Sequence, residues 1–299
     1  MKVVVTGSSG HIGGAVARYL LNMGNDVTGI SRTRSAALPD AVDQISLDIG
    51  AAEFIPCAHE RIGACHAVVH AAACLDESLD NAELSRINCL GTQQTIMLAQ
   101  KLEAASFIYI SGFNVLGLPR EHPVTEGHPV APDNVYAATK LYGEYLTRYA
   151  NSTAMRTVSL RVSSPIGPGL RRCRIARIFI EQALRNQPIV IHGTGLRRQD
   201  YVDVRDVASA VAMLLSRQCL DGIINLGSGK AVSSLELAKS CVATTNSTSS
   251  IVFSGKADLC DQICWDISIA KAASELGYAP AIPLEVSLAD MANGIRRGA

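Results

Sequence analysis

Three things are missing from this 299-residue chain, and each absence narrows what it does. No apolar run approaches the length of about 20 residues that a membrane-crossing helix needs. There is no excess of charge of either sign: 27 Lys plus Arg balance 27 Asp plus Glu, for a formal net charge of +0. That argues against a nucleic-acid footprint or an anionic membrane as partner, so any anionic ligand is held by local features. There is also no cysteine framework. The nine cysteines at 57, 65, 74, 89, 173, 219, 241, 260 and 264 are odd in number and scattered. The closest pair, Cys260 and Cys264, forms C-x-x-x-C with no second pair and no nearby histidine, so no metal site is expected. With no signal-peptide pattern ahead of the first strand-like residues, this cysteine usage predicts a reducing, cytoplasmic compartment. No internal repeat is visible, and the single low-complexity patch, TTNSTSS at 244–250, reads as a surface loop.

What is present is a core and a rhythm. Hydrophobic residues make up 48% and charged residues 18%, as in a globular protein with a sizeable interior. KVVVT (2–6), DVTGIS (26–31), QISLDI (44–49), AVVHAAA (67–73), FIYIS (107–111) and TVSLRV (157–162) read as strands. Helical spacing over 11–23, about 79–101 and around 133–150 falls between them. This alternation predicts an α/β fold with a doubly wound parallel sheet. After Ser163 the rhythm loosens: SPIGPG is a turn-rich break, with helices expected around 172–186, after a short strand within 200–215, from about 233, near 268–276 and at 284–296. The expectation is a dinucleotide-binding domain over 1–163, to which segments about 200–228 return, and a smaller mixed α/β substrate domain over 164–299.

The first strand–helix junction carries Gly7, Gly10 and Gly13 as G-x-x-G-x-x-G, in the context that a dinucleotide-binding loop requires. Gly7 serves the tight turn, Gly10 the approach of the pyrophosphate and Gly13 helix–strand packing. Ser9, His11 and Ile12 complete the loop, and the helix N-terminus offers backbone N–H groups to phosphates. The second strand ends Ser31-Arg32-Thr33-Arg34. No carboxylate stands there to hold a ribose 2′-OH, whereas Ser31, Arg32 and Arg34 attract a 2′-phosphate. NADP is therefore expected over NAD. Asp48, beside Ile49 at the end of the third strand, is placed to reach an adenine amino group.

Tyr136 and Lys140 lie four apart in DNVYAATKLYGE, one helical turn, and so share a face. A neighbouring ammonium favours the phenolate, so such a pair can pass a proton to or from an alcohol or ketone.

With these features in this order, the chain resembles the extended short-chain dehydrogenases/reductases, the NAD(P)-dependent nucleotide-sugar epimerases, dehydratases and ketoreductases. TGSSGHIGG matches the cofactor loop, VVHAAA the end of the fourth strand and INCLGT (87–92) an N-x-x-G-T helix segment. VYAATK matches the catalytic helix, LRVSSPIGPG an R-x-x-N-x-x-G-P turn, GTGLRRQDYVDVRDVA (193–208) the substrate-clamping stretch and NLGSGK (225–230) a further turn. The resemblance implies Tyr136 as acid/base and Lys140 as its cationic partner. It also implies cofactor contacts at Ala71, Ala72 and Asn88, and a homodimer formed through the helices of residues 79–101 and 133–150.

Departures from the pattern narrow the substrate. Gly112 stands where the family has Ser or Thr, leaving Ser111, one position early, and Asn114 as candidates for that hydrogen bond; Ser111 is taken as the third catalytic residue. Phe113 and Asn114 replace the Asp-Glu pair of the 4,6-dehydratases, and neither is an acid or base at neutral pH. That disfavours dehydration and favours a ketoreductase or epimerase. On the substrate side, Ser164 replaces an Asn and Gln199 an Arg that meets the diphosphate. Arg197 and Arg198 are candidates to take over, and Arg171, Arg172 and Arg174 add charge nearby. The expected substrate is a nucleotide-activated deoxysugar. The alternatives are a non-sugar alcohol or ketone, or a non-catalytic NADP-sensing protein; the latter is disfavoured because Tyr136 and Lys140 are both present.

Overall fold

The computed structural model describes residues 1–75, 79–171, 174–217 and 220–298. The first strands are short, β-branched and buried on both faces, as a sheet covered by helices requires. β1 (Lys2–Thr6) is followed by α1 (His11–Asn22), β2 (Asp26–Ser31), β3 (Asp43–Ser46), α2 (Phe54–Ile62) and β4 (Ala67–His70). Then come α3 (Asn81–Ser85), a π-helical segment Arg86–Leu90, α4 (Gly91–Lys101), β5 (Ser106–Gly112), a 3-10 turn Phe113–Leu116, α5 (Val135–Ala150) and β6 (Arg156–Val162). The third strand is shorter than its apolar run suggests, and α2 was not evident in the sequence pattern. Its apolar residues Phe54, Ala58 and Ile62 nonetheless fall at helical spacing and are buried.

The remainder is β7 (Ser164–Ile166), α6 (Ile175–Leu184), β8 (Ile189–Ile191), β9 (Arg198–Asp203), α7 (Val204–Ser216), β10 (Gly222–Leu226), β11 (Ala231–Ser233), α8 (Ser234–Thr245), β12 (Ile251–Phe253), a π-helical turn Ala272–Leu276 and α9 (Leu284–Arg296). Seven strands form one sheet in the order β10-β6-β5-β4-β1-β2-β3, and every pairing is parallel. Residues 222–226 join the main sheet, pairing with β6. Two small sheets, β11-β9-β7 and β12-β8, lie outside it.

Helices cover both faces of the main sheet. On one face Ala15, Val16 and Leu20 of α1 and Val207, Val211 and Leu214 of α7 share a core with Val3, Val5 and Val69. On the other, Phe54 and Ile62 of α2 and Leu98 and Leu102 of α4 pack against Val4, Ile30 and Phe107. Each such side chain contributes on the order of 1.5–3 kcal/mol by leaving water. A separate cluster joins α6, α8 and α9 through Phe179, Ile180, Leu237, Cys241 and Leu288. α8 starts at a capping box: Glu236 N–H donates to Ser233 Oγ at 3.1 Å and Ser233 N–H to Glu236 Oε2 at 2.6 Å. The strand order reverses between β1 and β4, which sets a crevice at the carboxyl ends of these strands, the position where open α/β sheets bind ligands.

Candidate active site

Two of the segments read as cofactor contacts meet at that crevice. Gly7 has φ +71°, and a Cβ there would stand 2.6 Å from Ala72 N, so the loop after β1 lies directly against the Ala71–Ala72 backbone that follows β4. A Cβ on Gly13 would stand 2.2 Å from Gly7 O, so α1 can sit this close to the loop only with glycine at that position. α1 begins after Gly10 with no side-chain cap and no acidic residue in its first turn, leaving its amino end electropositive. Ser8 Oγ is enclosed with no hydrogen-bond partner among the described residues, and the His11 imidazole is enclosed beside the Ile166 and Gly169 carbonyls. Burial pushes the His11 imidazole down to about 4, opposed by the carbonyls of Ile166 and Gly169 and by Asp203.

At the outer end of the crevice no carboxylate ends β2. Ser31 Oγ donates to Thr33 O at 2.8 Å, and Arg32 and Arg34 are exposed, with no hydrogen bond or ion pair among the described residues. Asp48 accepts from Gly50 N–H and from Arg86 Nη2, both at 2.9 Å. Burial raises the Asp48 carboxyl, but the bonds from Arg86 and Gly50 outweigh it and hold it below the usual carboxylate range. Ile49 is buried beside it in the sheet core.

Tyr136 and Lys140 sit on the first turns of α5, which Asn134 caps by accepting from Ala137 N–H at 2.8 Å. Tyr136 is half-buried against Cys74, Leu84 and Ile87. Lys140 is buried: its Nζ donates to Ile110 O at 2.6 Å and lies 4.1 Å above the Tyr109 ring. Burial pushes the Lys140 ammonium down to about 7, with Glu144, one turn on, acting against the fall.

Three residues read from the sequence as candidates are engaged in contacts within the protein. Ser111 Oγ donates to Glu144 Oε1 at 2.6 Å and is buried, so its proton is already engaged by a carboxylate. Asn88, 2% exposed, exchanges bonds with the Cys74 backbone at 2.7 and 3.0 Å and donates to Thr139 Oγ1 at 3.1 Å. It thereby pins the segment after β4 to α5. Arg198 pairs with Glu236 at 3.3 Å, leaving Arg197 as the neighbouring arginine with no ion pair among the described residues. Of the further arginines, Arg171 and Arg174 are exposed, and Arg172 lies outside the described residues. Ser164 and Gln199 are half-buried on β7 and β9, which pair in one small sheet.

Gly112 ends β5 beside Asn114. A Cβ at residue 112 would stand 2.9 Å from Asn114 Oδ1. His70 is fully buried between Thr6 Oγ1 at 2.6 Å and Thr92 Oγ1 at 3.0 Å and is stacked on Tyr109. Burial, and secondarily Lys140, push its imidazole down to about 3, so it is a neutral core residue. Sequence reasoning missed the buried ion pair of Glu144 with Arg161 at 2.8 Å, although both residues lie inside quoted motifs. That pair borders a groove of about 660 Å³ which also touches Thr157 near the start of β6 and Gly222 at the start of β10. The groove thus opens toward the opposite edge of the sheet from the glycine loop.

No group of His, Cys, Asp and Glu suited to a metal occurs among the described residues, and no helix there is long and apolar enough to cross a membrane. Residues 3–227 match the NAD dependent epimerase/dehydratase family. A low-salt glycan biosynthesis protein, Agl12, of Haloferax volcanii is 28% identical over 79% of this chain and 80% of its own. A putative UDP-glucose 4-epimerase of Methanocaldococcus jannaschii is 29% identical over 79% of each chain. Among solved structures, a Thermotoga maritima UDP-glucose 4-epimerase with UDP-glucose superposes with a TM-score of 0.90 at 23% identity, covering 100% of this chain and 99% of that one. MoeE5 in complex with UDP-glucose and NAD gives 0.86 at 25% identity, covering 100% and 99%. The chain is thus a member of the NAD-dependent epimerase/dehydratase family, the extended branch of the short-chain dehydrogenases/reductases.

Proposed function

We propose that the protein is an NADP-dependent ketoreductase or epimerase acting on a nucleotide-activated deoxysugar. The observation that carries this reading is the Tyr136/Lys140 pair at the carboxyl edge of the sheet, with Lys140 buried and tied to Ile110. The glycine loop fits a dinucleotide. Gly7 and Gly13 leave room that a Cβ would fill, and the amino end of α1 is open. When bound, the nicotinamide gives or takes the hydride. Tyr136 passes the proton to or from the substrate oxygen, and the Lys140 ammonium favours its phenolate. Gly7, Ser9, Gly10, Ile12 and Gly13 surround the phosphates, and Asp48 receives the adenine amino group. Arg32 and Arg34 take the 2′-phosphate. Two of the structural relatives, MoeE5 and a Thermus thermophilus UDP-glucose 4-epimerase, are complexes with NAD, and the NADP assignment here rests on the basic end of β2.

The nucleotide is assigned to the small sheet holding Ser164 and Gln199, with Arg197 as its cation. The UDP-glucose bound by the Thermotoga and MoeE5 relatives supports a nucleotide sugar. A second reading, a non-sugar ketone, is favoured by one observation: Gln199 is uncharged and Arg198 is already paired with Glu236. A homodimer is proposed through α4 and α5, which leave Met97, Tyr142, Tyr145 and Tyr149 exposed.

The test is NADPH oxidation measured against a panel of 4-keto nucleotide sugars and simple ketones, together with epimer formation from the matching hydroxy nucleotide sugars with NADP, because an epimerase returns the hydride and oxidises no NADPH overall. Turnover with a nucleotide sugar that disappears in Tyr136→Phe supports the first reading, and turnover with simple ketones alone supports the second. Tight NADPH binding without any turnover would sink both.

A further inference from the structure

The end of β5 holds a polar side chain that the chemistry above leaves without a role. Asn114 is half-buried, and its Nδ2 is enclosed with no hydrogen-bond partner among the described residues. An unmade buried N–H costs on the order of 1–3 kcal/mol, so a ligand oxygen that accepts from this amide recovers that cost. Its Oδ1 lies 2.9 Å from the place a Cβ on residue 112 would take. The carboxamide and a side chain at 112 therefore compete for one volume, and glycine at 112 leaves that volume to the amide. The backbone that carries it is well anchored: Phe113, Val115 and Leu116 are buried with Val124 and Ile267. Lys140 is bonded to Ile110 of the same strand end, so the amide and the catalytic helix are referenced to one element.

We propose that the Asn114 carboxamide, seated over Gly112, donates a hydrogen bond from Nδ2 to the substrate oxygen whose proton Tyr136 handles. This rests on the reading of Tyr136 given above. The terminal amide torsion is broad and roughly two-fold, so the N–H swings from its unpaired seat to a ligand oxygen without a rotamer penalty. An amide N–H donates but does not release its proton near neutral pH. Asn114 therefore polarises the oxygen and stabilises negative charge on it, while the proton itself passes only between that oxygen and Tyr136.

The experiment compares wild type, Asn114→Ala, Asn114→Asp, the double variant Gly112→Ser/Asn114→Ala and Tyr136→Phe. It uses NADPH oxidation with a 4-keto nucleotide sugar, epimer formation from the corresponding hydroxy sugar with NADP, and NADPH affinity from fluorescence titration. Losing one preorganised donor is expected to lower kcat about 10²–10³-fold in Asn114→Ala with NADPH affinity unchanged. The double variant, which places a hydroxyl in the vacated volume, is expected to recover about tenfold of that loss. Asn114→Asp donates only as the protonated acid, so its kcat rises as pH falls, relative to wild type. Wild-type kcat in Asn114→Ala while Tyr136→Phe is inactive overturns the assignment and leaves the Tyr136 reading standing. An inactive wild type that binds NADPH overturns both. Should Asn114→Ala fail to fold, the Asp variant decides: a pH–rate profile parallel to wild type counts against the proposal.

Discussion

Ser111 and Glu144 are joined by a 2.6 Å hydrogen bond between the end of β5 and the third turn of α5, one turn beyond Lys140. Glu144 also receives Arg161 Nε at 2.9 Å and Nη2 at 2.8 Å, with the arginine 1% exposed. A hydroxyl used in this way orients the catalytic helix from below. Ser111→Ala is therefore expected to cost stability, about 1.5–3 kcal/mol for a bond to a charged group, and to change kcat by no more than a few-fold. Urea unfolding beside steady-state kinetics reads both. A collapse of kcat with stability intact would return Ser111 to the reaction.

Arg161 and Glu144 predict a sharper asymmetry. Removing one partner of a buried pair leaves an uncompensated charge, at about 3–5 kcal/mol, whereas replacing both with apolar residues of similar volume is often far less damaging. Arg161→Met is expected to lose that much, and the double variant Arg161→Met/Glu144→Leu to lose less than the sum of its parts. A double-mutant cycle in urea gives the coupling directly, and additivity would show that the two charges are not paired in solution.

Lys140 ties function to instability. Its ammonium titrates at about 7 in the folded protein against the ordinary 10.5, because burial disfavours the charged form. Between those values the unfolded chain binds a proton that the folded protein does not, so stability rises with pH across this window and is lost as pH falls toward 7. From pH 7 to pH 9, wild type should gain stability relative to Lys140→Met, which has no proton to lose. Thermal melts of both proteins across that range test it. Parallel curves would mean that the ammonium keeps its ordinary affinity for protons, held by Ile110 O and the Tyr109 ring.

Much of this was legible in the chain. Local signals suffice where a residue's job is set by its neighbours in sequence: the β-branched run of β1, the glycine spacing that follows it, and the one-turn separation of Tyr136 and Lys140. The strand at 222–226 could be assigned to the main sheet for the same reason, since an apolar run after a helix continues the alternation. What the sequence leaves open depends on distant partners. That Ser111 would find Glu144, that Asn88 would close on Cys74 and Thr139, and that Arg198 would pair with Glu236 are properties of the folded arrangement. Hydroxyl, amide and guanidinium groups look alike in sequence whether they face a ligand or a buried neighbour. α2 was hidden by Pro56 and by its shortness, since nine residues give a weak periodic signal.

Cofactor choice is the prediction on which sequence and relatives pull apart. Arg32 and Arg34 are exposed, with no ion pair among the described residues, at the end of β2, where a carboxylate would otherwise face the ribose 2′-OH. A dianionic 2′-phosphate gains charge-assisted hydrogen bonds from guanidinium groups, and a hydroxyl gains little. The ratio of kcat/KM for NADPH over NADH should therefore exceed one in wild type. It should fall by about tenfold or more in Arg32→Ala/Arg34→Ala, the worth of a lost charge-assisted bond. Because these arginines stand in water, the preference should weaken with added salt. Ser31→Asp should push the ratio further toward NADH by repelling the phosphate and offering the 2′-OH an acceptor. Wild-type protein that favours NADH, with the double arginine variant unchanged in its preference, would mean that these arginines are solvent-facing charges and that the 2′ position is read elsewhere.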